Sequence, residues 1–199
     1  NVPFYVETIL VINASLGLNK TPVMLNPPLD SARIGQKFCH NPAAFDADGD
    51  SLAYRLSTPK RGEPGTCINR VADGYRDPAL GLNPDAQNEL KNGPATFTIN
   101  PLTGDLCWDA PAVAGIYNVA FIIEEWRDGV KIGEVVRDMQ IVVGDSPNRR
   151  PLLDPIANTC VEAGQTVTQT VRATDPDNNR MVLSAYGGVF NVNPDGKPI

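Results

Sequence analysis

Thirty consecutive positions of this 199-residue chain, Asn19 to Asp48, recur 129 positions later with seven identities and no gap. Asn19 matches Asn148, Pro22 matches Pro151, and Gly35-Gln36 matches Gly164-Gln165. Ala44, Asp46 and Asp48 match Ala173, Asp175 and Asp177. Average composition gives roughly two identities in such a stretch. Near-matches keep the same offset: Val23-Met24 with Leu152-Leu153, Phe38 with Val167, and Asp50 with Asn179. A fixed period of this kind predicts a tandem repeat. Residues 16–145 are then one complete domain, and 146–199 the N-terminal part of the next repeat. Residues 1–15 supply the last strand of a preceding one, or an N-terminal strand, in the strand-like run Tyr5 to Ile12. The start at Asn1 reads as a cut through a longer array.

Within the complete unit the pattern is strand-like. With 18 prolines and 17 glycines, the chain is punctuated well above the ordinary level of ~12% for the two together. Such punctuation suits many short strands. Gln36 to Phe45, Leu52 to Ser57, Ala95 to Ile99 and Asp105 to Trp108 are strand candidates, the last two separated by the turn Pro101 to Gly104. Ile116 to Trp126 is rich in β-branched and aromatic residues. Asp128-Gly129 is a strong hairpin signal, and Lys131 to Val143 is the returning strand. Helices of ten or more residues between strands, which a parallel α/β fold needs, are missing from the pattern. The expected fold is all-β, a Greek-key sandwich in tandem with a long loop insertion at 58–94. Asn83-Pro84-Asp85 in that insertion suggests one short helix start.

Charge and composition exclude several function classes. With 23 acidic and 17 basic side chains the net charge is −6, which argues against a nucleic-acid partner. The single histidine, His40, leaves little room for a triad or a zinc site. No apolar run reaches the ~18 residues of a membrane span. Glu124 and Glu125 are adjacent on a strand and so face opposite sides, which denies them the role of a carboxylate pair. A non-enzymatic protein is expected.

The sharpest local motif is Asp46-Ala47-Asp48-Gly49-Asp50, echoed as Asp175-Pro176-Asp177-Asn178-Asn179. Three carboxylates within five residues repel one another, and a hard cation such as calcium relieves that repulsion with oxygen ligands. An EF-hand is excluded, because its required Gly is Ser51 here and its bidentate Glu is Ser57. The alternative is a metal-free Asx-rich turn. The second copy has fewer charges and should bind a cation more weakly.

At these residues the chain resembles a known class. Val142 to Pro151 is similar to a cadherin-type interdomain linker, and Ala173-Thr174-Asp175-Pro176-Asp177 to the Asp-x-Asp calcium segment that follows one. Phe45 to Tyr54 has the same character. The resemblance implies that Asn19 with Asp46 and Asp48 forms one calcium junction, and Asn148 with Asp175 and Asp177 the next. The linker departs from the family pattern: it has Arg149-Arg150 nearby in place of a second Asp and Asn. The family's Glu-containing strand motifs find no clear match. A resemblance over nearly the whole chain rests on Leu25-Asn26-Pro27-Pro28, Phe45 to Leu52, Leu102 to Pro111, and Gly115 to Gln140 with its Glu124-Glu125-Trp126-Arg127-Asp128-Gly129. These segments look like the Ig-like/cadherin-like repeats of large secreted Bacteroidota surface proteins of the gliding-motility-associated, C-terminal sorting type. That kinship implies export to the cell surface.

An exported chain permits disulfides. Four cysteines allow three complete pairings. The favoured one is Cys67 with Cys107, which would pin the insertion to the strand before Trp108. Cys39 is then expected as a buried thiol, and Cys160 as pairing beyond this segment. Trp108 and Tyr117 read as core. Tyr75, in the insertion, is the best exposed candidate for a ligand platform. The expected function is a structural or adhesion module, with neighbouring repeats as partners. The alternative is a carbohydrate- or protein-binding module that uses the 58–94 insertion to engage surface glycans or other surface proteins.

Overall fold

The structure is a computed structural model and describes residues 5–63, 65, 69–79, 81–162 and 164–185. Two compact units divide the chain, with the boundary between Asp145 and Ser146. The first unit runs through β1 (Glu7–Leu10), a single 3-10 turn (Ala14–Leu16), β2 (Val23–Met24), β3 (Leu29–Arg33), β4 (Phe38–His40), β5 (Ala44–Phe45), β6 (Ser51–Ser57), β7 (Lys60–Gly62), β8 (Asn69–Val71), β9 (Thr96–Ile99), β10 (Leu106–Asp109), β11 (Gly115–Arg127) and β12 (Val130–Gly144). The architecture is all-β, as the sequence predicts.

The β11–β12 hairpin is the spine. Asp128 (φ 50°) and Gly129 (φ 77°) both take the left-handed conformation that a two-residue hairpin turn requires. The main sheet is ordered β1-β12-β11-β6, and β3 adds to β12 in parallel. The strand expected at Tyr5 to Ile12 is β1, paired antiparallel along Glu7↔Val136 to Leu10↔Gly133. A second sheet, β4-β10-β9, supplies the other layer. The core cluster joins the two. Val119, Phe121 and Ile123 of β11 and Met139, Ile141 and Val143 of β12 pack with Leu106, Trp108 and Phe97. Trp108 meets Phe97 and Tyr117 edge-on, at 5.9 and 4.8 Å between ring centres. Each such side chain contributes ~1.5–3 kcal/mol by leaving water.

Gln36 to Phe45 is not one strand. Pro42 has no N–H to donate and Ala43 has φ 49°, so the run breaks into β4 and β5. The 58–94 insertion folds back on the unit. It forms the β7–β8 hairpin, and its Ala79 and Ala86 are buried in the core. The helix start expected at Asn83 is a single turn, closed by Ala86 N–H on the Asn83 carbonyl at 3.0 Å.

The expected pairing of Cys67 with Cys107 is overturned. Cys107 bonds Cys39, 68 residues away in sequence. The two face each other directly across the β10–β4 ladder with Cα atoms 4.1 Å apart, a separation that places both sulfurs within reach. Cys39 is therefore neither free nor buried. Cys67 lies outside the described residues, and Cys160 is an exposed free thiol.

The second unit, Ser146–Ser184, contains β13 (Leu152–Leu153) paired with β14 (Ala173–Thr174). This ladder stands 129 positions after the β2–β5 ladder, in which Val23 meets Phe45 and Met24 meets Ala44. None of its described residues is buried. Among the described residues of the chain, no helix is long and apolar enough to cross a membrane.

Candidate functional site

The Asp46–Asp50 segment connects β5 to β6, and its first carboxylate builds the turn. Asp46 Oδ1 accepts the backbone N–H groups of Asp48 (2.9 Å) and Asp50 (3.0 Å), the local bond that Asx residues offer in turns. Gly49 supplies the left-handed residue, with φ 84°. One ligand atom from each of Asp46, Asp48 and Asp50 lies within 4.8 Å of the others.

The chain's own donors meet this cluster. Asp48 Oδ2 accepts the Lys20 backbone N–H at 2.7 Å, and the Lys20 ammonium stands 3.4 Å from Oδ1. The Lys20 backbone N–H, with the Lys20 and Arg127 charges, holds the Asp48 carboxyl below its ordinary range. Asp50 is gripped by Arg127, with Nε at 2.7 Å from Oδ1 and Nη2 at 2.6 Å from Oδ2. Those two hydrogen bonds raise the already basic Arg127 further. The same guanidinium donates to Asn19 Oδ1 (2.9 Å) and to the carbonyls of Leu16 (2.6 Å) and Leu18 (3.1 Å). Asn19 in turn donates to Glu125 Oε2 at 2.9 Å. The segment Leu16 to Lys20, which leads into the domain, is thereby fastened to the acidic turn.

Glu125 and Arg127 arrive by strand parity. Val119, Phe121 and Ile123 point into the core from β11, and the same row continues with Glu125 and Arg127 at its end. The register shifts between Glu125 and Trp126, one of the irregularities that re-aim side chains at sites. Gly133 faces Glu125 across the ladder, and a Cβ there would stand 2.6 Å from Glu125 Oε2. A glycine is needed to leave the carboxylate its place. Glu125 is fully buried. Burial first, then a hydrogen bond with Asp46 and the nearby Asp46 and Asp50 charges, push it up to about 7, against the Asn19 hydrogen bond. Two carboxylate oxygens here, Glu125 Oε1 and Asp46 Oδ2, are buried and take no N–H from the protein.

Asp46 Oδ2 and Glu125 Oε1 accept no N–H, and once Glu125 is ionised they offer a hard cation the carboxylate oxygen it prefers. Asp50, Asn19 and the two carbonyls are already committed to Arg127. The carboxylates close enough to share one divalent cation are Asp46, Asp48 and Asp50, with buried Glu125 and its partner Asn19 beside them.

The second copy repeats the geometry at the same offset. Asp175 Oδ1 accepts the N–H groups of Asp177 (2.8 Å) and Asn179 (3.0 Å). Arg149, 129 positions after Lys20, gives Asp177 its backbone N–H and a side-chain hydrogen bond at 2.8 Å. Asn148 accepts a hydrogen bond from Asn179. Of the residues expected at the two sites, Asp46, Asp48 and Asp50 lie together, Asn19 joins Asp50 through Arg127, and Asn148 meets Asn179 of the second turn. Glu125 and Arg127 were missed by the sequence reading. The parity of the β11 core row was the signal that could have found them.

Tyr75 is half-buried and lines an open cavity of about 400 Å³ with Ile116, Tyr117 and Asn118. His40 is buried, with Nδ1 3.0 Å from Asp30 Oδ2. No protein-family model matches the chain, and no curated protein sequence matches it.

Proposed function

We propose that this chain is a non-enzymatic structural module of a tandem-repeat bacterial surface protein, in the adhesin-like manner of the Bacteroidota repeats it resembles. The observation that carries this reading is the fastening of an entry segment to an acidic turn, found at Leu16–Lys20 with Asp46–Asp50. The hydrogen bonds of Arg149 and Asn148 to the second turn stand 129 positions later. An array transmits force or holds reach only if each entry segment is fixed to its domain. Calcium is the proposed stiffener of the first turn, held by Asp46, Asp48 and Asp50 near Asn19 and Glu125. Bound there, it would cancel the carboxylate repulsion and remove hinge freedom. Neighbouring repeats are the proposed partners. Secretion or surface display agrees with the Cys39–Cys107 disulfide, since such bonds persist in oxidising compartments.

Calorimetric titration with calcium, and melting with and without chelator, test the metal. Binding at ~0.1–1 mM is expected, as for extracellular modules. At ten times the dissociation constant this adds about 1.4 kcal/mol of stability. The variant Asp46→Asn/Asp48→Asn should lose both effects. An absence of binding heat up to several millimolar calcium would refute the calcium reading.

The cavity at Tyr75 favours a second reading, a glycan-binding face on the insertion. Saturable binding on a glycan array that is lost in Tyr75→Ala would select it.

A further inference from the structure

The contacts of Arg127 form a set that a hard cation would take. Five oxygens converge on one guanidinium: both of Asp50, the amide oxygen of Asn19, and the carbonyls of Leu16 and Leu18. Carboxylate, amide and main-chain carbonyl oxygens are the usual ligand types of calcium loops. The side chain is only one-fifth exposed, and the Asp50 side chain it grips is 5% exposed. A planar fork can serve several oxygens at once, which a point-charge ammonium does less well. In the second unit Arg149 meets Asp177, and its Nη2 also reaches the Pro176 carbonyl at 2.6 Å. The two arginines come from unrelated places, one from the end of β11 and one from the linker. In both turns a guanidinium meets the acidic side chains.

We infer that Arg127 is a tethered cation that orders the first turn without metal and competes with calcium for its oxygens. The competition rests on the calcium reading above. The ordering role does not. The guanidinium keeps Leu16–Lys20 docked when calcium is scarce. A metal recruiting Asp50, Asn19 or the two carbonyls must first displace it. Asp46 Oδ2 and Glu125 Oε1 take no hydrogen bond from it.

The test is amide hydrogen exchange in the Leu16–Lys20 segment of the whole chain, in chelator and in 5 mM calcium, with calcium calorimetry alongside. Exchange is read at Leu16 and Lys20, whose N–H groups bond the Asn13 carbonyl and Asp48 Oδ2. The wild type should keep this segment protected in chelator. Arg127→Gln should lose protection there at least tenfold, regain it in calcium, and bind calcium at least tenfold more tightly. Arg127→Lys, which keeps the charge without the fork, should lie between the two. Wild-type exchange that becomes fast on chelation would overturn the inference, even if Arg127→Gln does not fold. So would an Arg127→Gln variant protected like the wild type. If neither protein binds calcium but Arg127→Gln alone loses protection in chelator, the calcium reading and the competition fail, and the tethered-cation role stands.

Discussion

Replacing Cys39 or Cys107 by alanine opens the bond that joins β4 to β10, and the loss can be estimated. The two cysteines are 68 residues apart in sequence. In the chain-entropy account, cross-linking a loop of that length stabilises the fold by about 4 kcal/mol, because the unfolded chain is denied many of its states. A unit of about 145 residues unfolds with an entropy near 0.3 kcal/mol/K, so the midpoint should fall by roughly 14 °C. Scanning calorimetry of the wild type, Cys39→Ala, Cys107→Ala and Cys67→Ala measures it. The first two variants, and wild type in reductant, should melt together at the lower temperature. Cys67→Ala should melt near wild type, because it leaves the β4–β10 bond intact. Peptide mapping without reductant should recover a linked fragment containing Cys39 and Cys107. A Cys67→Ala variant that melts as low as Cys107→Ala, with Cys39→Ala unaffected, would refute the reasoning and restore the pairing expected from sequence.

Two further outcomes follow from the site and the core. Glu125 keeps its proton in the folded state to about pH 7, whereas the unfolded chain loses it near the ordinary 4.5. Its contribution is fully present below pH 4.5 and lost as pH rises through 7. In chelator, Glu125→Gln should flatten this part of the stability profile between pH 4.5 and 8, and an unchanged slope would contradict it. Gly104 and Gly129 both have φ 77°, but a Cβ at Gly104 would stand 2.7 Å from the Tyr54 ring while Gly129 has open space. Gly104→Ala should therefore cost ~1–3 kcal/mol more than Gly129→Ala in urea unfolding, and equal costs would show that the clash is absorbed.

The acidic turn shows how far local sequence reaches. Asp46 accepts hydrogen bonds from residues two and four positions on, so its conformation is written in a five-residue window and recurs wherever that window does. The partners of the turn are not in that window. Arg127 lies 77 residues from Asp50, and Asn19 lies 106 residues from Glu125. The resemblance to calcium-binding segments rests on the acids, and the basic groups that meet them lie outside its pattern. Lys20 and Arg149 stood at the same offset of 129 as the acids, and Arg127 stood in the quoted Glu124–Gly129 motif.

By itself the sequence determined the all-β character, the β11–β12 hairpin with its Asp128-Gly129 turn, the core role of Trp108 and Tyr117, and the two acidic turns. Each depends on side-chain alternation or on contacts within a few residues, and composition and spacing record those directly. Tertiary structure alone decided that Cys39 meets Cys107, that β1 and β3 both add to β12, and that Glu125 and Arg127 close the Asp46–Asp50 turn. Those outcomes depend on which strands become neighbours and in what register. Strand pairing uses backbone groups that every residue carries, so the local pattern marks each strand without marking its partner.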